Sequence, residues 1–101
     1  MTVLLTCEHG GNRVPARYRK LFAGADAVLA SHRGWDAGAL RLAQRLARHL
    51  DAPLRSATVS RLVVDLNRRV GRNLSSYTRQ LDENGQAQLL AELYQPFRDA
   101  F

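Results

Sequence analysis

The chain opens with a short apolar run that stops at a pair of glycines, where residues 3–12 read VLLTCEHGGN. Apolar side chains over residues 3–7, closed by glycines, predict a buried strand that feeds a loop. Ligands of open α/β sheets bind beyond the carboxyl ends of the strands, so the loop that begins at Glu8 is a candidate site. Cys7 itself is interpreted as a small buried hydrophobic residue.

The clearest predicted helix spans Ala37 to Leu50. Its alanines and leucines recur at intervals of three and four residues, whereas Arg41, Arg45 and Arg48 lie on the opposite side. Asp36 stands at the natural N-cap position of this helix. Residues 51–53, which read DAP, predict its end.

The rest of the chain predicts alternating elements. Two strands are expected over residues 54–60 and 61–66, followed by an arginine-rich loop over 67–73. A second helix is expected over residues 86–94, after a turn at Asn84-Gly85 and before Pro96, which restarts or kinks it. The order strand, helix, strand, helix predicts an α/β fold with parallel pairing.

The predicted sheet is incomplete by itself. Two or three apolar parallel strands need cover on both faces and neighbours at both edges. The last helical pattern also runs to Phe101 without a stop signal. We therefore expect a partial mixed or parallel sheet with flanking helices. On this interpretation, residues 1–101 are the N-terminal part of a single truncated domain, which lacks its C-terminal half or depends on a partner such as a second copy.

Composition excludes several classes of protein. Hydrophobic residues make up 46% and charged residues 24%, which is ordinary globular usage and excludes a disordered or collagen-like chain. No apolar run approaches the ~20 residues that a membrane helix needs, and the N-terminus lacks the basic segment of a signal peptide. A single cysteine cannot form an internal disulfide, so we expect a cytoplasmic protein without membrane contact.

The chain is basic, with a formal net charge of +6. Arginine can bind nucleic acid or anionic substrates through its bidentate fork, or it can form a solvated surface. The arginines are spread from Arg13 to Arg98, and no helix-turn-helix, zinc-finger or RNA-binding motif accompanies them. This spacing favours a solvated surface or a small anionic ligand over nucleic acid.

Two groups of residues near the N-terminal half could hold a metal ion. His9 can offer a neutral imidazole to zinc, and Glu8 beside it could be a ligand, orient the histidine or act as a base. The second group, residues 32–36, reads HRGWD. Here Asp36 is either the helix cap or a metal ligand, and His32 is either structural or a proton donor.

A third group, residues 60–68, reads SRLVVDLNR. On a strand, Arg61 and Asp65 share one face, where they could form a purely structural ion pair. Asn67 and Arg68 follow at a carboxyl-end loop. They could bind a substrate carboxylate, or they could belong to a solvated basic loop.

Taken together, these groups resemble the N-formylglutamate amidohydrolase family. The resemblance is carried by residues 7–15 (CEHGGNRVP), by His32 with residues 35–39 (WDAGA), and by residues 60–68, in this order. It covers nearly the whole chain. Members of the family are similar to zinc carboxypeptidases and aspartoacylases, which implies the first half of a zinc-carboxypeptidase-like (phosphorylase/hydrolase-like) fold.

The resemblance also implies a cofactor and a site. Zinc is the expected metal, with His9 as the first ligand, Asp36 as the second, and Glu8 and Asn12 as rivals for that second place. Asn12 stands where the carboxypeptidase relatives carry a glutamate ligand. Asn67 and Arg68 would hold the substrate carboxylate, with help from Arg61. No catalytic acid or base is assigned, because the relatives supply it, together with a further histidine, from later in the chain.

The implied function is zinc-dependent hydrolysis of a small anionic N-acyl amino acid such as N-formylglutamate. This activity is expected of the parent protein, whereas 101 residues with two metal ligands are expected to be inactive alone. The alternative is a non-enzymatic basic module that binds nucleic acid or a partner protein. Such a module would bind nucleic acid with an affinity that falls steeply as the salt concentration rises.

Overall fold

The sheet consists of two short parallel strands, β1 (Leu5–Cys7) and β2 (Leu54–Ser56). The computed structural model describes residues 3–100. Leu5 pairs with Leu54 and Cys7 with Ser56, and an isolated parallel bridge between Arg13 and Val59 continues the contact beyond the strands. The predicted strand at the N-terminus and the parallel pairing are confirmed.

The remaining elements among the described residues are helical. Four are α-helices: α1 (Asp26–Ala30), α2 (Ala39–Leu50), α3 (Glu83–Leu89) and α4 (Gln95–Asp99). Two are 3₁₀ helices (Ala16–Phe22 and Thr78–Gln80), and one is a π-helical turn (Leu90–Tyr94). Helices with a small parallel sheet make this an α/β fold, whereas the similarity to zinc carboxypeptidases stays a prediction. Within residues 3–100, no helix is both long enough and apolar enough to cross a membrane.

The hydrophobic core lies between the N-terminal helical turns and the last two helices. Its buried members are Tyr18, Phe22, Ala25, Leu29, Val63, Val64, Leu66, Leu89, Tyr94 and Phe97. Phe22 also stacks on Tyr77, with 4.9 Å between the ring centroids. The core therefore joins segments from the whole length of the chain, and residues 61–66 run through it.

Residues 61–66 do not form the predicted strand, and that prediction is wrong. They form successive turns: the carbonyl of Ser60 accepts a hydrogen bond from the N–H of Val63 (3.0 Å), and the hydroxyl of Ser60 donates to the carbonyl of Gly34 (2.9 Å). Val63 and Val64 are buried in the core all the same. A short apolar run satisfies burial in either conformation, so its pattern does not distinguish a strand from a buried turn.

Helix α2 differs from its prediction at its start and in its burial. It begins at Ala39, after Gly38 in the left-handed region (φ 83°), so Asp36 is not its N-cap. The helix has no buried residue, and its large side chains Leu42, Leu46 and Leu50 are 60%, 42% and 53% exposed. The apolar face that the sequence predicts is present, but the described residues leave it largely open.

The C-terminal helical region begins earlier than predicted, and its geometry changes along its length. Asp82 caps α3 by accepting a hydrogen bond from the N–H of Gly85 (2.7 Å), so the predicted turn at residues 84–85 is wrong and lies inside the helix. The π-helical turn ends at Tyr94, directly before α4, and Pro96 is the second residue of α4. A proline has no N–H to donate and clashes with the carbonyl four residues earlier, so the helix changes to π-helical geometry before Pro96 and α-helix resumes at Gln95, as the predicted restart requires.

Gly34 provides a test of the packing between α1 and the turn at residues 60–61. A Cβ atom at this position would lie 2.1 Å from the carbonyl oxygen of Leu29, which is backbone and cannot swing aside. We expect Gly34→Ala to lower the free energy of unfolding by more than about 2 kcal/mol, measured by urea denaturation.

The matched control is Gly24→Ala. Gly24 also lies in a turn and has a positive φ of 77°, but nothing lies within 4 Å of the position of its Cβ. For this variant we expect the free energy of unfolding to fall by only about 1 kcal/mol, the cost of placing an alanine in the left-handed region. Equal losses for the two variants would contradict the close approach at Gly34.

Candidate functional site

The loop after β1 holds His9 against the segment that follows β2. The N–H of Gly10 donates to the carbonyl of Ala57 (3.0 Å). A Cβ atom on Gly11 would lie 2.6 Å from the carbonyl oxygen of Thr58, so the loop packs at a distance that only glycine allows. The glycine pair thus serves a close approach between two backbone segments, which fixes the position of His9.

The imidazole of His9 lies between two carboxylates. Its Nε2 is 2.8 Å from Oδ1 of Asp65, and its Nδ1 is 3.2 Å from Oδ2 of Asp36. A backbone hydrogen bond from the N–H of Asp36 to the carbonyl of His9 (2.9 Å) also holds these two residues together. The His9 side chain is only 10% exposed. The site therefore joins three segments that are far apart in sequence.

For both contacts of His9 to be hydrogen bonds, each of its two ring nitrogens would have to carry a proton. A neutral imidazole carries a single N–H, and carboxylate oxygens only accept hydrogen bonds. If Nε2 donates to Asp65, Nδ1 presents a lone pair to Asp36. A second proton on the ring, or a cation between Nδ1 and the Asp36 carboxylate, satisfies both contacts.

Asp65 is the most buried charged group of the site, and its side chain is 9% exposed. Burial alone would raise its pKa. The hydrogen bonds from His9 and from the backbone N–H of Asn67, with the charges of His9 and Arg61, outweigh burial and lower the pKa of Asp65 below its usual value. Asp65 is thus held as a carboxylate, which can accept the Nε2 proton of His9.

Two arginines flank this carboxylate. Arg61 places one terminal nitrogen 3.6 Å from Oδ2 of Asp65 and the other 3.5 Å from Oδ1 of Asp36. Arg68 places Nε 3.3 Å from Oδ2 of Asp65, and its side chain is 60% exposed. The predicted pairing of Arg61 with Asp65 is confirmed, although it forms across a turn rather than along a strand.

The other residues singled out in the sequence have different surroundings. Glu8 accepts a hydrogen bond from the Thr6 hydroxyl (3.3 Å) and lines a cavity of about 280 Å³ that it shares with His9 and Asp36. Asn12 instead donates to the carbonyl of Leu29 (3.3 Å). Asn67 is exposed and contributes its backbone N–H to Asp65 (3.0 Å).

Three further side chains have structural surroundings. Cys7 is buried as predicted, and burial, followed by the charge of Glu8, raises the pKa of its thiol. Trp35 donates from its indole nitrogen to the carbonyl of Ala30 (3.3 Å). His32 is exposed, and no hydrogen bond or ion pair joins it to the described part of the chain.

Sequence reasoning missed the role of Asp65 as a partner of His9. It placed Asp65 on a strand beside Arg61 and offered only a structural ion pair. The available signal was the position of Asp65 in the sequence, two residues before the Asn67-Arg68 pair. The segment that ends there was expected to reach the same edge of the sheet as His9. Asp36 was considered both as a cap and as a ligand, and its carboxylate lies beside His9.

Residues 3–100 contain no group of three or more histidine, cysteine, aspartate or glutamate side chains arranged to hold a metal ion. His9 and Asp36 nevertheless fit as a pair. Two atoms bound to one tetrahedral zinc ion at about 2.0–2.2 Å stand roughly 3.3–3.6 Å apart. Nδ1 and Oδ2 are 3.2 Å apart, slightly closer than the lower end of that range. They would supply two ligands, one fewer than catalytic zinc takes from protein.

The chain is similar to known proteins both in sequence and in structure. A crystal structure of the gene product Atu2144 from Agrobacterium tumefaciens is similar to the chain with a TM-score of 0.81 and 36% identity. The match covers 96% of this chain and 42% of that one, so the chain spans less than half the length of the matched protein. No curated protein matches. The sequence profile of N-formylglutamate amidohydrolase matches residues 1–101, and the chain therefore belongs to the N-formylglutamate amidohydrolase family.

Proposed function

We propose that this chain supplies the metal-binding and carboxylate-binding half of a zinc-dependent amidohydrolase that acts on a small N-acyl amino acid such as N-formylglutamate. The observation that carries the proposal is the position of His9, with one ring nitrogen on a buried carboxylate and the other beside Asp36. Family membership supplies the reaction class.

His9 and Asp36 are the residues that would hold zinc. Asp65 accepts the Nε2 proton of His9, which leaves the lone pair of Nδ1 directed toward Asp36. A carboxylate in this place fixes the tautomer and the ring orientation of a ligating histidine and raises its basicity. When bound, zinc lowers the pKa of its water toward neutrality and polarises an acyl carbonyl.

Arg68 and Asn67 are proposed to bind the substrate carboxylate. Asp65 contacts Nε of Arg68, while the terminal nitrogens of this exposed side chain have no ion pair within the described chain. A guanidinium that is held through Nε still presents its two terminal nitrogens, which can bind both oxygens of a carboxylate. Arg61 lies between Asp36 and Asp65, so it stands beside both the proposed metal ligands and the proposed carboxylate site.

Zinc affinity tests the metal assignment. We expect His9→Ala to weaken zinc binding to the chain at least tenfold, measured by competition with a chromophoric chelator, because it removes one of two ligands. His32→Ala is the matched control, since His32 is exposed and lies outside the pair. Zinc affinity that survives His9→Ala, or that falls equally in both variants, would remove His9 from the metal site.

Asp65→Asn tests the orientation of His9 without deleting a ligand. An amide can still occupy the space but carries no charge and can present an N–H to Nε2. We expect zinc affinity to fall about 10- to 100-fold, as for other carboxylate partners of ligating histidines. Nitrogen chemical shifts of His9 should also report a change of tautomer. An unchanged tautomer and an unchanged affinity together would contradict the role given to Asp65.

Arg68→Ala tests the carboxylate site. We expect the dissociation constant for N-formylglutamate to rise about tenfold or more, measured by titration of backbone amide chemical shifts, because a charge-assisted bidentate contact is lost. Arg69→Ala is the control, as this neighbour is exposed and makes no ion pair with the described residues. If Arg68→Ala bound as tightly as the control, the assignment would be wrong.

Formate release separates the enzyme from the alternative, a basic module for nucleic acid or a protein partner. With two metal ligands, we expect turnover by the 101 residues alone to be absent or slow, so binding of zinc and of N-formylglutamate is the first readout. Zinc-dependent release of formate would establish the activity directly. Salt-sensitive binding of RNA, with no binding of either small ligand, would favour the module.

A further inference from the structure

A cavity of about 430 Å³ is lined both by the arginine-rich loop and by the C-terminal helical region. Its wall includes Val70, Asn73, Leu74, Arg79, Gln86 and Leu90. None of the residues proposed to bind zinc or the substrate carboxylate lines it; Arg61 and Arg68 line a separate cavity of about 190 Å³ beside Asp65. Pockets for small molecules run from about 300 to 1,000 Å³, so the larger cavity can enclose a ligand of amino-acid size.

Asn73 brings a buried amide without a partner to this wall. The residue is only 2% exposed, and neither the nitrogen nor the oxygen of its side chain has a hydrogen-bond partner among the described residues. Such groups are uncommon in native proteins, because a buried donor or acceptor that stays unpaired destabilises the fold. The backbone carbonyl of Asn73 accepts from the N–H of Asp65 (2.7 Å), so the residue itself is held in place. Its side chain therefore offers one donor and one acceptor to a ligand.

Gln86 supplies a second acceptor. Its Nε2 donates to the backbone carbonyls of Arg79 (3.2 Å) and Leu81 (3.0 Å). Because both partners are carbonyls, which only accept hydrogen bonds, the amide nitrogen must face them. Within residues 3–100 no group donates to Oε1 of Gln86. The side chain is thus fixed through its nitrogen, and its oxygen is left for a ligand.

The rest of the wall combines one cation with an aliphatic surface. The guanidinium of Arg79 forms no ion pair with the described part of the chain, so it can bind a carboxylate through both terminal nitrogens. Val70 is 59% exposed, and Leu74 and Leu90 are half-buried, so an apolar ligand group would cover side chains that now face water. The wall therefore matches a ligand with a negative group, a hydrogen-bond donor and an aliphatic part.

We propose that this cavity is a binding site for a free α-amino acid with an aliphatic side chain, such as leucine. The α-carboxylate pairs with Arg79 and accepts from Nδ2 of Asn73. The α-ammonium donates to the amide oxygens of Asn73 and Gln86, and the aliphatic side chain packs on the three apolar residues of the wall. The inference goes beyond the proposed function, since the site needs neither zinc nor the substrate carboxylate site.

The test measures dissociation constants in the absence of zinc, by titration of backbone amide chemical shifts with L-leucine and three analogues. 4-Methylpentanoate lacks the ammonium of leucine, 3-methylbutylamine lacks its carboxylate, and L-glutamate replaces the aliphatic side chain with a charged one. We expect each analogue to bind about tenfold or more weakly than L-leucine, because each loses charge-assisted hydrogen bonds or the apolar contact. The largest shifts with L-leucine should fall in residues 70–74 and 86–90.

Two variants assign the binding to this cavity. Arg79 is exposed, and Asn73→Leu replaces an unpaired buried amide with an apolar side chain of similar size, so we expect both Arg79→Gln and Asn73→Leu to fold. Each should raise the dissociation constant for L-leucine about tenfold or more. Arg69→Gln is the matched control, because it removes the same charge from an exposed side chain that does not line the cavity.

Three results would overturn the inference. The first is the absence of shifts in the cavity wall with L-leucine at millimolar concentration. The second is an analogue that binds as tightly as L-leucine, and the third is an equal loss of binding in Arg69→Gln and Arg79→Gln. Failure of the proposed function is seen separately, in the zinc and N-formylglutamate titrations, and it leaves the leucine results unchanged.

Discussion

The contact between the Asp65 carboxylate and Nε2 of His9, 2.8 Å long, is the interaction on which the rest of the site depends. Asp65 is buried in a turn that also carries Val63, Val64 and Leu66 into the core. A buried carboxylate is stable only if it is paired and hydrogen-bonded, and Asp65 has His9, two arginines and the Asn67 N–H. The core therefore fixes Asp65, and Asp65 in turn positions the ring of His9 and the guanidinium groups of both arginines.

Much of this arrangement could be predicted from local sequence. The first strand, its parallel pairing and the break near Pro96 follow from an apolar run, the order of elements and the chemistry of proline. Arg61 and Asp65 were placed on one face of a strand, where residues four apart lie about 13 Å from each other, so the 3.6 Å contact depends on the turn. The strand follows from its local composition, and the pairing of strands nearly fifty residues apart follows from the order of elements along the chain.

Two of the errors have a common physical cause, since each was settled by partners distant in sequence. Asp36 has the residue type and position of a helix cap, but its carboxylate lies beside His9, 27 residues away, and beside Arg61. The run over 61–66 has the composition of a strand, but Ser60 bonds to Gly34 and folds the run into a buried turn. Local propensity is a weak prior when a buried ion pair or a core contact competes with it.

Charge is arranged in alternating layers across the site. Asp36 and His9 line the 280 Å³ cavity, beside the proposed cation site, while Arg68 lines the 190 Å³ cavity, at the proposed carboxylate site. Arg61 and Asp65 lie between the two, and Arg61 contacts a carboxylate on each side. A cation bound at the first cavity and an anion bound at the second would therefore stabilise each other across this ion-paired layer. Asp65 contacts His9 on one side and Arg68 on the other, so a single carboxylate in a turn connects the residues that line the two cavities.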